Sequence, residues 1–233
     1  MIIVFDLDDT LYEEMTYVRS GFDAVAQFAQ RRWRVARKPM LAAMQRHLAR
    51  SGRGQVFDAA LAEFGIHSRQ AARLCVATYR AHRPRIQLSA AGRRCLARFA
   101  ASAKYLVTDG NARVQERKIA ALGIRRHFRR VFVTHRYGVA RAKPNPFCFL
   151  RIAELEGVSP RDVVYVADNP RKDFVGIRPL GFRTIRVRTG PYGNLPVRRG
   201  HDAELAIRDL DQLTPGLLRR LASSPSRKSK RQP

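Results

Sequence analysis

The chain has 233 residues, enough for one large domain or a core with a smaller accessory domain, and 45% of them are hydrophobic, as in ordinary globular proteins. Its 45 basic and 19 acidic residues give a net charge of +26, and no apolar run approaches the roughly 20 residues that a bilayer span needs. The N-terminal MIIVF has no basic leader, and Cys75, Cys95 and Cys148 form no CxxC pair. These features predict reduced, buried thiols, no zinc site, no secretory leader and a cytoplasmic protein.

The charge excess runs along the whole chain, since only six of the basic residues lie from Arg219 onward. Such a field attracts any anionic substrate, and it also suits nucleic acid. Surfaces that stack bases interleave aromatics with cations. Here RRWR, RRHFRR and RKSKRQ offer only Trp33 and Phe128, which weighs against a nucleic-acid partner.

Ile2 to Phe5 reads as a short buried strand. Val18, Phe22, Val25, Ala29 and Trp33 then recur at helical spacing. A second helix starts near Pro39 and carries Leu41, Met44 and Leu48 up to the SGRG break. A third runs from about Val56 to Phe64 and stops at Gly65, and Ser68 is placed to cap a fourth that ends before Pro84. Residues 13–84 therefore read as four helices without a strand.

After Pro84 the rhythm changes. The β-rich runs YLV (105–107), VFV (131–133), VVYVA (163–167) and FRTIRV (182–187) alternate with helical stretches ending at Gly123, Gly157 and Gly181, and AELAI (203–207) suits a last edge strand. This is the βαβ pattern of a parallel sheet covered on both faces. The expected organisation is an α/β doubly wound core over 1–12 and 85–221, an all-helical cap over 13–84 inserted after the first strand, and a disordered basic tail over 222–233.

In open α/β sheets ligands sit beyond the carboxyl ends of the strands. The first strand is followed by Asp6, Asp8 and Thr10, the second ends at Thr108, Asp109 and Gly110, the third leads to Lys143 in KPNP, and the fourth to Asp168 and Asp173 in ADNPRKD. Each has an ordinary structural explanation by itself: Thr10-x-x-Glu13 matches a capping box, TDGN a turn, and Asp168 a helix cap. Together, four separate loops deliver acid, hydroxyl, lysine and acid to one sheet edge.

DxDxT (Asp6, Asp8, Thr10), hydrophobic-T-D-G (Thr108), K-P (Lys143) and D-x4-D (Asp168, Asp173) resemble, in order, the four motifs of the haloacid dehalogenase-like (HAD) hydrolases. Gln115 and Lys118 also resemble that family's pattern after its second motif, and Ala167 departs from the glycine that many relatives place before the acid. The resemblance spans about residues 1–215. It implies a Rossmann-like core with a helical cap, bound Mg²⁺ and a covalent aspartyl-phosphate intermediate.

On this resemblance Asp6 is the nucleophile, and its reference pKa of about 3.9 predicts that it is ionised at neutral pH. Asp8 is the general acid and base. Asp6, Asp168 and the backbone carbonyl of Asp8 resemble an Mg²⁺ shell, and Asp173 orients it from outside. Thr108, the main-chain N–H of Asp109, and Lys143 are expected to bind the phosphoryl oxygens. Asp9 is left as a solvated or capping acid.

The function expected is magnesium-dependent hydrolysis of a phosphorylated small molecule, a sugar phosphate or nucleotide. Glu13, Tyr17, Arg19 and Arg53 are candidate contacts from the insertion. A phosphomutase of the same family and a non-enzymatic nucleic-acid-binding protein are the alternatives. Asp8 argues against a dehalogenase, which has no leaving alkoxide to protonate. An insertion whose single lysine is Lys38 argues against a Schiff-base phosphonatase.

Overall fold

The computed structural model describes residues 1–198 and 200–224; positions 225–233 of the expected tail lie outside the described residues. The chain runs β1 (Ile2–Phe5), α1 (Glu14–Trp33), α2 (Arg37–Ser51), α3 (Val56–Ala62), α4 (Arg69–Ala81), α5 (Ala90–Arg98), β2 (Lys104–Thr108), α6 (Ala112–Leu122), β3 (Arg130–Val133), α7 (Phe147–Glu156), β4 (Val163–Ala167), β5 (Arg183–Val187), β6 (Leu205–Ile207) and α8 (Pro215–Ser223). It divides into two compact units, Met1–Glu14 with the chain from Gln87 onward, and Met15–Ile86. No helix among the described residues is long and apolar enough to cross a membrane.

The first unit is an α/β fold around one six-stranded parallel sheet of order β3-β2-β1-β4-β5-β6. The chain leaves β1 toward β2 and β3, then crosses back to build β4 to β6 on the other side, so the strand order reverses at β1. Phe5 pairs with Leu106 on one flank and Val166 on the other. That register brings Asp6 level with the end of β4, at the reversal point where such sheets bind ligands.

The strands hold this position because both faces are buried. Val4, Tyr105, Val107, Phe132 and Tyr165 pack with Phe149 and Ile152 of α7 and with Phe174 and Ile177. Each large apolar side chain taken fully out of water contributes roughly 1.5–3 kcal/mol. α6 and α7 end at Gly123 and Gly157 in the left-handed conformation, φ +63° and +61°, which glycine adopts without steric cost.

The second unit contains four helices and no strand. Val18, Phe22, Val25 and Ala29 of α1 meet Met40 and Met44 of α2, Val56 and Leu61 of α3, and Ala72 and Cys75 of α4. Ser68 caps α4 by accepting the Ala71 N–H at 3.2 Å. Cys75, Cys95 and Cys148 are free and buried, and burial pushes their thiols up to about 12, 12 and 11, so at neutral pH they are unreactive packing groups.

One element differs from the sequence expectation. No α-helix precedes Gly181; the segment after β4 makes turns and a single 3-10 turn, Arg178–Leu180. Side chains compete for its main chain: Asp173 Oδ2 accepts the Asn169 N–H and Asn169 Oδ1 accepts the Arg171 N–H, both at 3.0 Å. Pro179 removes a donor. Gly176 lies so close to the Pro144 carbonyl that an added Cβ would stand 1.7 Å from its oxygen. α5 and α8 lie outside the elements read from the sequence, the first being capped by Ser89, which accepts the Gly92 N–H. α8 extends to Ser223, two residues past the boundary expected at 221.

Candidate active site

Asp6 follows β1 directly, and its N–H donates to the Val166 carbonyl at 2.9 Å, which extends the β1–β4 ladder by one residue. Its Oδ1 accepts from Lys143 Nζ at 2.5 Å. The same ammonium lies 2.7 Å from the Tyr165 hydroxyl and 2.8 Å from Asp173 Oδ1. The Tyr165 hydroxyl in turn donates to Asp173 Oδ1 at 3.0 Å. Lys143 and Asp173 are almost wholly inside, with side chains 1% and 0% exposed. Burial pulls the Lys143 pKa down, but Asp173 and Asp6 outweigh it and hold the ammonium well above the usual lysine range.

Burial has the opposite consequence for the acids. It pushes Asp6 up to about 7, with Asp173 and Asp8 adding to the rise and Lys143 opposing it. The reference value expected from the sequence is therefore overridden by the low-dielectric setting. Asp168 is raised further, to about 9, first by burial and then by Asp6 and Asp173. Its carboxylate is 4% exposed as a residue and has no hydrogen bond or ion pair among the described residues.

A buried, unpartnered carboxylate beside the Asp6 carboxylate fits a hard divalent cation held by oxygen. Among the described residues no three His, Cys, Asp or Glu side chains are grouped to hold a metal. The side chains of Asp6 and Asp168 therefore need main-chain oxygen and water to complete a shell.

Asp8 turns toward α6. Its carboxylate accepts from Tyr12 Oη at 2.5 Å, Gln115 Nε2 at 2.9 Å and Lys118 Nζ at 2.7 Å. Burial alone would raise this acid, but Lys118, Tyr12 and Gln115 outweigh it and hold the carboxyl below its ordinary range. The arrangement favours the ionised, proton-accepting form, and Asp8 carries a proton only when some of these donors are released. Lys118→Gln is expected to move the Asp8 pKa upward by about one unit, the low end of what an adjacent cation does. Carbon-13 NMR titration of the Asp8 carboxyl checks this, and an unchanged midpoint would contradict it.

Gln115 also joins the second motif to the first. Its Nε2 lies 2.5 Å from Thr108 Oγ1 and 2.8 Å from the Asp109 carbonyl as well as 2.9 Å from Asp8, so its two N–H donors are shared among three oxygens. Thr108 thus accepts from Gln115, while its own O–H has no acceptor among the described residues and remains available to an anion. The Asp109 side chain faces elsewhere. Its Oδ1 accepts the Thr134 hydroxyl at 2.5 Å and the Lys143 N–H at 3.1 Å, and Lys172 Nζ lies 3.2 Å from its Oδ2. This carboxylate braces the loops that follow β2, β3 and β4. Burial raises its pKa, but Lys143, Lys172 and Thr134 outweigh that and hold it below the usual carboxylate range.

Asp9 is the capping acid at the start of α1, accepting the Glu14 N–H at 2.9 Å, and its backbone is left-handed at φ +53°. It displaces the Thr10-x-x-Glu13 capping box suggested by the sequence. Thr189, after β5, donates its hydroxyl to the Asp9 carbonyl, so the fifth strand also steadies the first motif.

Of the candidate contacts in the insertion, Tyr17 and Arg19 lie on α1 and Arg53 in the turn after α2. The Tyr17 ring packs against Tyr79 and His82. Tyr12, Tyr165, Lys172 and Thr189 are members of the site that the sequence reading did not single out.

A parallel sheet that reverses at β1, with paired acids, a buried lysine and a threonine at its carboxyl edge, defines a HAD-type hydrolase. The family model for haloacid dehalogenase-like hydrolases matches residues 1–181, and the chain belongs to that family. It is 38% identical over 96 residues to the glyceraldehyde 3-phosphate phosphatase of Methanopyrus kandleri, a match covering 41% of this chain and 40% of that protein. It is 34% identical over 145 residues to the phosphoserine phosphatase of Thermus thermophilus, covering 59% of this chain and 55% of that one. The chain thus spans about half the length of the curated relatives it matches. The 2-haloacid dehalogenase of Pseudomonas syringae shares the fold, with a TM-score of 0.64 at 23% identity over 94% of this chain and 98% of that one.

Proposed function

We propose that this chain is a cytoplasmic, magnesium-dependent phosphomonoester hydrolase. Its substrate is a phosphorylated small molecule, a sugar phosphate or nucleotide, and it works through an aspartyl-phosphate on Asp6. The observation that carries this reading is the convergence of Asp6, Lys143, Asp168 and Thr108 at one sheet edge. The curated relatives, named for glyceraldehyde 3-phosphate and phosphoserine, support a small phosphate monoester as substrate.

In this reading an Asp6 carboxylate oxygen attacks phosphorus and the bond to the leaving oxygen breaks. Asp8, which takes up a proton when some of its Tyr12, Gln115 and Lys118 contacts are released, gives that oxygen its proton. Water then attacks the phosphorus of the aspartyl-phosphate, Asp8 takes the water's proton, and the Asp6 carboxylate is released. Thr108 and the main-chain N–H of Asp109 steady the phosphoryl oxygens. Lys143 neutralises Asp6, and Asp173 holds Lys143 and the Asn169 N–H in place beside Asp168.

Asp6 and Asp168, with the backbone carbonyl of Asp8, would hold Mg²⁺, whose charge offsets repulsion between carboxylates and phosphate. The helical unit, inserted directly after the first motif, is assigned the role of a substrate-selecting cap, with Glu13, Tyr17, Arg19 and Arg53 as its candidate contacts.

Hydrolysis of an aryl phosphate should require added Mg²⁺ and stop on chelation. Asp8→Asn should reduce turnover of alkyl phosphates about 10²–10⁴-fold, the usual range for removing an acid–base group. Aryl phosphates, whose leaving groups need less protonation, should lose much less. Equal losses on both substrate types would count against the acid role of Asp8.

A further inference from the structure

The ammonium of Lys143 has three N–H donors. Two are committed in hydrogen bonds, to Asp6 Oδ1 at 2.5 Å and to Tyr165 Oη at 2.7 Å. Asp173 Oδ1 lies 2.8 Å from the same nitrogen as an ion-pair partner. That oxygen already accepts the Tyr165 hydroxyl at 3.0 Å, and Asp173 Oδ2 accepts the Asn169 N–H at 3.0 Å. Tyr165 therefore links the two charges, accepting from the lysine and donating to the acid. With Asp173 supplied by other donors, the third N–H of Lys143 is left for a phosphoryl oxygen bound at Asp6.

A lysine ammonium turns freely on a flexible stem. A single hydrogen bond, to Asp6, leaves that rotation open, and the second, to Tyr165 Oη, fixes it. The anchor is itself rigid. Tyr165 is 0% exposed, and its main chain pairs with Val4 on β1 and Thr184 on β5. Its ring meets those of Phe149 and Phe174 edge-on, at 4.6 and 6.2 Å. Packing accounts for the ring but not for the hydroxyl, whose two partners both belong to the site. Tyr105 of β2 offers a comparison in the same core. Its hydroxyl donates to Glu156, which also pairs with Arg129. Arg129 precedes β3, so that contact lies at the opposite, amino edge of the sheet.

We propose that Tyr165 is a positioning residue for the reaction: its hydroxyl fixes the rotation of the Lys143 ammonium, so that one N–H holds Asp6 and another meets a phosphoryl oxygen. This deepens the phosphatase reading and rests on it. Without the hydroxyl, the buried Asp173 Oδ1 loses its donor, which is costly. Lys143, 2.8 Å away, turns to replace it. The ammonium then serves Asp6 and Asp173 and withdraws from the phosphate.

The test compares the wild type with Tyr165→Phe, which keeps the ring and removes one oxygen, and with Tyr105→Phe, the control for a lost buried hydroxyl. Values of kcat and KM are measured on an aryl phosphate well below the thermal midpoint of each protein, together with competitive inhibition by inorganic phosphate. Tyr165→Phe should lower kcat/KM and weaken inorganic phosphate about 10- to 100-fold, the scale of one hydrogen bond to a charged group. Tyr105→Phe should match the wild type in both.

If the wild type turns over and a folded Tyr165→Phe protein matches it in kcat/KM and phosphate affinity, the proposal fails and the phosphatase reading stands. A loss of kcat/KM with phosphate affinity unchanged would also overturn it. Equal losses in Tyr105→Phe would make the effect a general consequence of removing a buried hydroxyl, and a Tyr165→Phe chain that does not fold would assign the hydroxyl to the core; either result overturns the proposal. A wild type that neither hydrolyses the ester nor binds phosphate removes the reading, and the proposal with it.

Discussion

Replacing Asp6 with asparagine is expected to lower turnover of any phosphate ester by about 10⁴-fold or more, the scale seen when a covalent nucleophile is removed. The fold should survive. Asp6 is a buried acid whose pKa is already pushed up to about 7, so a neutral amide of nearly the same shape removes a strained charge. Lys143 keeps Asp173 and the Tyr165 hydroxyl as partners. The variant should therefore unfold at the same temperature as the wild type or slightly higher, a gain of up to about 2 kcal/mol. Near-normal turnover in a folded Asp6→Asn protein would mean that another group attacks phosphorus.

Lys143→Met should fail in both respects. It deletes the cation between Asp6 and Asp173, whose side chains are 8% and 0% exposed. Breaking a buried ion pair from one side costs roughly 3–5 kcal/mol because the remaining charge stays buried. The pH dependence has a definite sign. Without the ammonium the folded-state pKa of Asp6 rises further above its unfolded value, so the folded variant binds more protons than the unfolded chain and loses stability as pH rises above about 4. Urea unfolding at pH 5 and pH 7.5 should show the larger deficit at pH 7.5, where the wild-type acid is substantially ionised. A deficit under 1 kcal/mol at both pH values would contradict the pairing. Activity should fall as well, because Asp6 would be protonated and free to turn.

The strand-end motifs were legible because each places a polar group immediately after an apolar run; β1 and β4 end where those runs end, and β2 one residue later, at Thr108. Helix ends were legible where glycine or a capping serine marks them, at Gly123, Gly157 and Ser68. The segment before Gly181 was not, because its course is set by side chain to backbone bonds of Asn169 and Asp173 and by contact between Gly176 and Pro144, none of which leaves a periodic trace.

Within the site, identities were easier to read than partnerships. Tyr165 sits in the run VVYVA and counts there as one more core aromatic, yet its hydroxyl organises Lys143 and Asp173. Asp109 follows a threonine and precedes a glycine, so it reads as a turn residue. Its role as a brace depends on Thr134 and Lys172, 25 and 63 positions away. Protonation was the least accessible property. Asp6 and Asp168 depart upward because they are buried together, whereas Asp8, two residues from Asp6, departs downward because α6 supplies Lys118 and Gln115.

The central claim is that Asp6 forms a bond to phosphorus. Quenching the protein during turnover, reducing it with borohydride and sequencing its peptides by mass spectrometry tests this directly, since an acyl phosphate is reduced to an alcohol whereas a free carboxylate is not. The account predicts homoserine at position 6 in samples given substrate and none without it. Unreduced aspartate at position 6 together with reduction at another acid, or full turnover with no reducible acid at all, would contradict it.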